Sequence, residues 1–163
     1  MEFYLVRHGE AVSQAVNGQR PLTPEGRRDV ELLGRVAVQR GIQPSQIFHS
    51  GLLRAQQTAE ILAESLGPVK GVRELVGLRP DDDPVIAKAE LETSTVSLML
   101  VGHLPHLSRL ASFLVAGDAE RGVVEFAPAT LLGLAYDDYR WKILWKITPA
   151  SGVERVDRRN GIV

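Results

Sequence analysis

The sequence predicts an α/β domain of three layers, in which helices cover both faces of a mostly parallel sheet. Two observations predict this fold. Short apolar runs alternate along the chain with segments whose apolar residues recur at helical spacing, as in strand–helix–strand units. The run 96–101 is almost continuously apolar, which is typical of a strand buried on both faces. We expect one domain over residues 1–163, because this length suits a single hydrophobic core.

The first predicted unit is a strand at residues 2–6, followed by a loop that runs to Leu22. Thr23 is a typical N-cap and Pro24 a typical first residue of a helix, so a helix is expected to begin there. That helix should end near Gly41, because glycine favours the left-handed backbone at a helix C-terminus.

The second predicted unit begins with a short strand at residues 47–49. Ser50 is expected to cap the next helix, which should end at Gly67. The stretch 69–83 is expected to be irregular, and Pro84 to open another short helix.

The last part of the chain predicts one more helix and an antiparallel pair. Pro105 is expected to open the helix, which should end at Gly117. Residues 129–136 and 141–147 are expected to pair as the two strands, and the second of them should be exposed or at an edge. The alternating apolar residues of that second strand are expected on one face: Trp141, Ile143, Trp145 and Ile147.

Composition excludes several classes of function. The chain has 19 basic and 20 acidic residues, a formal net charge of -1, so nothing draws it as a whole to nucleic acid or to an anionic membrane. It has no cysteine, which excludes disulfides, thiolate metal sites and a cysteine nucleophile. Its apolar runs are too short for a signal peptide or a membrane span. We expect a cytoplasmic monomer that binds neither nucleic acid nor membrane.

Three segments place a histidine or an arginine just after a predicted strand. Arg7 and His8 follow the first strand, Arg54 comes soon after the second, and His103 follows the strand at 96–101. The carboxyl ends of parallel strands border the ligand crevice of an open α/β sheet, so these residues are expected to converge there. The predicted site therefore holds two imidazoles and at least two guanidinium groups.

Such a cluster needs an anion, because like charges repel one another. The arginine fork matches the oxygens of phosphate, and the N–H groups at a helix N-terminus add to the attraction. Arg54 falls in the first turn of its predicted helix, where a cation is electrostatically disfavoured. A residue that breaks such a local preference at a predicted site indicates a functional role, and here we expect that role to be phosphate binding.

Phosphoryl transfer to a histidine fits these residues. An imidazole with the ordinary pKa of about 6.5 is largely neutral at pH 7 and able to attack phosphorus. Arginines would neutralise the oxygens of the transferred group, and His103, if protonated, would donate to the same oxygens. Water would then hydrolyse the phosphoenzyme. We expect no cofactor and no metal, because the arginines supply positive charge and no carboxylate stands at ligand spacing from His103 and His106.

Four segments in order resemble the histidine phosphatase superfamily, which includes the cofactor-dependent phosphoglycerate mutases. Residues 5–10 contain Arg7-His8-Gly9, which resembles the RHG signature of that superfamily. Three further segments agree with it: 20–26, 50–59 and 101–105. Together they are similar to the short SixA-type branch, the phosphohistidine phosphatases. One tripeptide would carry little weight, but four segments in order are a specific signal.

This resemblance implies a phosphoglycerate mutase-like α/β sandwich, and it implies roles for residues. His8 becomes the nucleophile of a phosphohistidine intermediate. The phosphate pocket is completed by three residues: Arg7, Arg54 and His103. Arg20 is implied as an extra phosphate contact, and Gly9 as a further substrate-binding residue.

The proton donor to the leaving group stays open. Larger members of the superfamily carry an acidic residue for this step, and the candidates here are Glu10, Glu74 and the triplet 81–83. A phosphohistidine substrate needs less from such a residue, because its leaving imidazole is protonated near neutral pH. Of the other histidines, His49 is expected to be structural and His106 to lie at the surface or at the rim of the site.

The leading hypothesis is an enzyme that removes phosphate from phosphohistidine on a protein, such as a phosphotransfer domain. The short branch lacks the insertions that shape small-substrate pockets in the mutases, which favours an open site. The alternative is a phosphatase that acts on a small phosphomonoester or a sugar phosphate. A non-catalytic phosphoprotein-binding module is a third hypothesis, and the intact set of arginines and histidines argues against it.

Overall fold

The computed structural model describes residues 1–149 in full and residues 152–155 by their backbone. The strands are β1 (Glu2–Arg7), β2 (Gln46–His49), β3 (Val72–Glu74), β4 (Leu98–Gly102), β5 (Leu131–Asp137), β6 (Arg140–Thr148) and β7 (Gly152–Arg155). The helices are α1 (Pro24–Gln39), α2 (Leu53–Leu66), α3 (Pro84–Thr93) and α4 (His106–Ala116).

The described strands form one sheet in the order β3-β2-β4-β1-β5-β6-β7. From β3 to β1 the neighbours are parallel, and from β1 onward each pair is antiparallel. The α/β class is therefore confirmed, with the crossover helices in the parallel half and an antiparallel extension beside it. The carboxyl ends of β1, β2 and β4 meet at one edge of the sheet, where the predicted site residues follow them.

Helices cover both faces of the sheet, which gives the three predicted layers. On one face α1 and α2 pack together over a core that includes Leu62 and Val101. On the other face α3 and α4 cover a second core that includes Leu100 and Leu110. Successive residues of β4 thus point into different cores, which confirms a strand buried on both faces. No helix in the described part of the chain is long and apolar enough to cross a membrane.

Two helices begin where their capping residues predict. The hydroxyl of Thr23 accepts a hydrogen bond from the N–H of Gly26 at 2.9 Å, and Pro24 is the first residue of α1. The carboxylate of Asp83 accepts from the N–H of Val85 at 3.0 Å at the start of α3. These capping side chains accept hydrogen bonds from backbone N–H groups that would otherwise lack a partner.

The prediction that Ser50 caps α2 is wrong. The N-cap is Leu52, which makes no capping hydrogen bond through its side chain. Gly51 has a φ of +87°, a backbone conformation that glycine adopts freely, and it turns the chain before the helix begins. Ser50 therefore stays beside the end of β2, and its hydroxyl bonds to His103.

The segment between α2 and α3 contains β3, although the stretch 69–83 was expected to be irregular. This strand has three residues and pairs only with β2, so it is too short to show a period in the sequence. It carries Glu74 to the carboxyl edge of the sheet, level with His49 of β2.

The antiparallel pair is confirmed, but β6 does not present its apolar residues on one face. The register of β5 and β6 shifts between Gly133 and Leu134, which marks a β-bulge. An extra residue reverses the alternation, so Trp141 packs in the core under α4 and Ile147 in the core under α1. The strand is also internal, because β7 pairs with its outer side.

Candidate active site

His8 follows β1 at the carboxyl edge of the sheet and is 8% exposed. Its backbone N–H donates to the carbonyl of Gly102 at 3.1 Å, which ties it to the end of β4. Its side-chain Nδ1 lies 2.7 Å from the carbonyl of Gly9. A carbonyl only accepts, so Nδ1 carries the proton and the lone pair of the neutral ring is on Nε2. The ring therefore has a free nucleophilic nitrogen in a fixed orientation.

His103 follows β4 and faces His8. The centroids of the two rings are 4.9 Å apart, and their planes are inclined at 52°. Nε2 of His103 lies 2.5 Å from the hydroxyl oxygen of Ser50, whereas its Nδ1 has no partner among the described residues. The sequence segments at 7–8 and 102–103 thus converge as predicted.

Burial and neighbouring cations lower the pKa of both histidines. Burial lowers the pKa of His8 to about 4; the Gly9 carbonyl opposes this shift and nearby arginines increase it. Burial lowers the pKa of His103 to about 3, and repulsion from His8 and Arg54 adds to the effect. Both rings are therefore neutral at pH 7 in the free protein. The lowered pKa therefore disfavours the protonated His103 considered above.

Two half-buried arginines complete the site. Arg7 donates from Nη1 to the carbonyl of Phe126 at 2.7 Å, and Arg54 lies in the first turn of α2 as predicted. Burial lowers the pKa of each guanidinium, and the Nε atoms of both have no partner among the described residues. Neither arginine forms an ion pair with a described carboxylate. Two unpaired guanidinium groups beside two neutral imidazoles favour an anion with several oxygens.

Arg20 lies near the cluster, on the loop between β1 and α1. Its positive charge contributes to lowering the pKa of His8, of His103 and of Arg54. Its Nε donates to the carbonyl of Val12 at 3.1 Å, and its backbone has a φ of +50°. A non-glycine residue in this conformation is strained, which is a feature of functional sites.

Gly9 holds the nucleophile through its backbone. Its carbonyl bonds to His8, and its N–H donates to the hydroxyl of Thr58 at 3.1 Å. A Cβ at this position would lie 2.8 Å from a side-chain carbon of Val30 in α1, so only glycine fits. Both polar groups of the Gly9 backbone are thus engaged within the protein, and its role as a substrate contact stays a prediction.

The two glutamates proposed as acids lie in different surroundings. The carboxylate of Glu74 lies against the backbone of Gly51, so closely that a Cβ there would overlap with it. It is thereby next to Ser50, the hydrogen-bond partner of His103. The backbone of Glu10 packs against Gly26, and its side chain is exposed.

The acidic triplet at 81–83 has local contacts. Asp82 accepts from the N–H of Arg79 at 2.9 Å, and Asp83 caps α3. Within the described residues, no three acidic or histidine side chains are grouped so as to hold a metal ion. Independence of metal stays a prediction that a chelator would test.

An open cleft of about 360 Å³ lies beside Arg54. It is lined by Gly18 and Gln19 from the loop before α1, and by the start of α2 from Leu52 through Arg54 to Gln56. A larger groove of about 640 Å³ lies at the other end of α4, near Gly117 and Tyr139. Only the first of these cavities includes a residue of the cluster.

Sequence reasoning missed three features of this site. Ser50 and Thr58 bond to site residues about fifty positions away, and a lone hydroxyl residue gives no signal for such a contact. His106 was expected at the surface, but it is 0% exposed in the first turn of α4. It is one of the buried residues of α4, as are Leu107 and Leu110. His49 is structural as expected: it is buried in β2, and its Nδ1 accepts from Gly51.

Comparison with known proteins shows which protein family the chain belongs to. The profile of the histidine phosphatase superfamily (branch 1) matches residues 3–79. An uncharacterized protein of Picosynechococcus sp. is 39% identical over 125 residues, which are 72% of this chain and 74% of that protein. The chain therefore belongs to the histidine phosphatase superfamily. It is a phosphatase of the kind that passes phosphate through a histidine of the enzyme.

Within this superfamily the chain is similar to SixA proteins. Phosphohistidine phosphatase SixA of Escherichia coli is 28% identical over 123 residues, 72% of this chain and 76% of that protein. The solved structure of the protein histidine phosphatase SixA with tungstate has a TM-score of 0.83 at 26% identity, covering 91% of this chain and 97% of that one. A putative SixA from Agrobacterium tumefaciens has the same fold, with a TM-score of 0.77 at 22% identity.

Proposed function

We propose that this phosphatase hydrolyses phosphohistidine on a protein, with His8 as the nucleophile. The observation that carries the proposal is the state of His8. Its Nδ1 is bonded to the Gly9 carbonyl, its pKa is about 4, and its ring faces His103. A neutral ring held by one nitrogen has the other free for attack on phosphorus.

The phosphoryl group would bind between the cations. Arg7 and Arg54 have unpartnered Nε atoms and no competing carboxylate among the described residues, so each has donors to offer to a phosphoryl oxygen. Arg20 adds positive charge near the cluster. The bond to the Phe126 carbonyl holds Arg7 in place before the reaction. The donors of the two arginines would stabilise the charge on the equatorial oxygens as the phosphoryl group moves.

Transfer would proceed in two displacements. In the first, the lone pair on Nε2 of His8 forms the new P–N bond as the bond to the substrate imidazole breaks, and that imidazole takes up a proton. In the second, water attacks phosphorus, the P–N bond to His8 breaks, and its electron pair returns to Nε2 as inorganic phosphate forms. The proton of the attacking water passes to a base or to the departing phosphate. Each step exchanges one bond at phosphorus and needs no cofactor.

Glu74 is the stronger of the two glutamate candidates for proton transfer. Its carboxylate contacts Gly51, beside the Ser50 that bonds to His103. The side chain of Glu10 is exposed instead. A Glu74→Gln variant is expected to lose more activity on an aryl phosphate with a poor leaving group than on phosphohistidine. The reason is that a leaving imidazole takes a proton from solvent near neutral pH.

Two observations support a protein substrate. The cleft beside Arg54 is open and includes glycine at positions 18 and 51, so a protruding side chain has access to Arg54. The similarity to SixA extends over 97% of that chain, so this chain matches it across almost its whole length. The SixA proteins are named for action on phosphohistidine.

The test is a comparison of kcat/KM on a phosphohistidine-bearing protein with kcat/KM on a panel of small phosphoesters, under one set of conditions. We expect the phosphohistidine protein to have the higher value. A sugar phosphate or nucleotide that exceeds it by about tenfold, or about 1.4 kcal/mol of transition-state free energy, would assign a small substrate instead. Absence of turnover on all substrates, with retained binding of a phosphoprotein, would indicate a binding module. The His8→Ala variant is the control for non-enzymatic hydrolysis.

A further inference from the structure

Ser50 is a buried serine whose hydroxyl has two neighbours. It is 2% exposed and lies between β2 and α2. The backbone N–H of Leu52 lies 3.3 Å from its Oγ, and Nε2 of His103 lies 2.5 Å from the same atom. An N–H only donates, so Oγ accepts from Leu52. The hydroxyl proton then needs an acceptor of its own.

The proton on His103 has two possible positions. If Nδ1 carries it, Nε2 accepts from the Ser50 hydroxyl, and each polar atom of the chain from Leu52 through Ser50 to Nε2 is satisfied. If Nε2 carries it, the Ser50 hydroxyl proton has no acceptor among the described contacts. Nδ1 then has a lone pair but no hydrogen-bond donor among the described residues. A buried donor without an acceptor loses its hydrogen bond to water and gains none in the protein, which favours the first arrangement.

We propose that Ser50 is a positioning residue that holds His103 in the tautomer with its proton on Nδ1, so that the neutral ring donates an N–H to the phosphoryl oxygens. Nδ1 is the ring atom without a partner in the protein, and it belongs to the ring that faces His8. The inference rests on the proposed function, in which His103 contacts the transferred group.

A fixed tautomer matters because this ring is not a cation. Burial and the repulsion of His8 and Arg54 lower the pKa of His103 to about 3, so a positive charge is not available to guarantee a donor on each nitrogen. A neutral ring with the proton on Nε2 would turn a lone pair of Nδ1 toward a phosphate oxygen. Repulsion between these two acceptors would weaken phosphate binding and raise the barrier to transfer.

The first measurement is of the wild-type protein alone. Long-range proton–nitrogen correlation spectra of the full chain with nitrogen-15 histidine identify which ring nitrogen of each histidine carries the proton. The signals are assigned with His103→Asn and His8→Asn variants. We expect His103 to be neutral and protonated on Nδ1 at pH 7, without substrate. A ring protonated on Nε2 would overturn the proposal, and this result does not depend on which substrate the enzyme prefers.

The second measurement compares three variants on an aryl phosphate and on a phosphohistidine protein. Ser50→Ala is expected to lower kcat by roughly tenfold to a hundredfold on both, less than the loss of a whole oxyanion donor, and to shift His103 toward the Nε2 tautomer. Ser50→Thr keeps the hydroxyl and is expected to restore the Nδ1 tautomer. Ser112→Ala is the matched control. Ser112 is also buried, and its Oγ accepts one backbone N–H, that of Val123 at 3.1 Å, in a part of α4 away from the cluster.

Each outcome decides the proposal. It stands if Ser50→Ala changes both the tautomer and kcat while Ser112→Ala changes neither. It is wrong if Ser50→Ala leaves the tautomer unchanged, because any loss of kcat would then come from a direct contact of Ser50 with substrate or from general loosening. Equal losses of kcat in Ser50→Ala and Ser112→Ala would likewise assign Ser50 a purely structural role. If the proposed substrate is wrong, the wild-type protein would have a higher kcat/KM on the aryl phosphate than on the phosphohistidine protein. The tautomer of His103 and the effect of Ser50→Ala on it would be unaffected.

Discussion

Thr58 bridges the first turns of α2 to the loop that carries the proposed nucleophile. Its hydroxyl accepts the N–H of Gly9 at 3.1 Å and donates to the carbonyl of Arg54 at 2.8 Å. Gly9 in turn holds Nδ1 of His8 through its carbonyl. One buried hydroxyl thus links the backbone of the proposed phosphate-binding arginine to that of the proposed nucleophile.

Replacing Thr58 with valine is expected to impair both stability and activity. The substitution keeps the shape of the side chain but leaves the buried N–H of Gly9 without an acceptor, at a cost of about 1–3 kcal/mol in the free energy of unfolding. Because Gly9 orients His8, we also expect a lower kcat. Urea unfolding and steady-state kinetics measure the two effects.

The chain offers matched controls for this variant. Thr58→Ser keeps the hydroxyl and should retain most of the stability and activity. Thr130 is also 0% exposed, but its Oγ1 has no partner in the described structure, so Thr130→Val should be neutral or stabilising. Similar behaviour of the two valine variants would show that the Thr58–Gly9 hydrogen bond contributes nothing specific.

His8→Ala is expected to abolish turnover while the protein stays folded. The removed side chain is the proposed nucleophile, and its ring makes one hydrogen bond, to the adjacent Gly9 carbonyl. Wild-type enzyme mixed with phosphate-labelled substrate and quenched without acid should carry the label on the peptide that contains His8. Label on a different histidine, or substantial turnover by the variant, would refute the covalent role.

Arg54→Ala is expected to lower kcat by roughly 10²–10³-fold, the effect of removing one preorganised donor. Arg54→Lys keeps the charge but loses the planar fork, so it should recover activity only in part. Arg109→Lys is the control, since that arginine pairs with the exposed Glu120 and lies away from the cluster. If Arg54→Lys matched the wild type, the two-pronged contact with phosphate would be excluded.

The parts that the sequence predicted well are those set by local chemistry or by topology. Thr23 and Pro24 start α1 because a cap and a fixed φ act within one turn. The convergence of His8, Arg54 and His103 follows from the rule that parallel strands end at one edge of the sheet. Each of these inferences needs only the order of residues and the type of element that precedes them.

The features of the fold and the site that the sequence did not predict depend on contacts between distant segments. A serine just before a helix is equally suited to capping that helix and to a long-range hydrogen bond. Here the chain turns at Gly51, and Ser50 bonds to His103 instead of capping α2. The bulge beside Gly133 adds a residue to β6, and that extra residue reverses the alternation of its side chains. Neither event leaves a period or a motif in the sequence.

The described structure also predicts that acid destabilises the protein through its histidines. The pKa of each of the four is lowered, with burial as the largest cause, and it falls to about 4 for His8 and about 3 for His103. An unfolded chain has histidines with a pKa of about 6.5, so between these values it binds more protons than the folded protein does. The free energy of unfolding therefore rises with pH in this range.

Stability from these groups is fully present above about pH 6.5 and is lost as the pH falls toward the folded pKa values. Urea unfolding at pH 7, 6 and 5 should show a steady loss, in a range where most carboxylates stay ionised. His103→Asn removes one of the titrating groups, so its slope should be smaller by up to about 1.4 kcal/mol per pH unit, the value for one proton. A wild-type protein equally stable at pH 7 and pH 5 would contradict the burial of neutral histidines. An unchanged slope in His103→Asn would instead assign the loss to the other three rings.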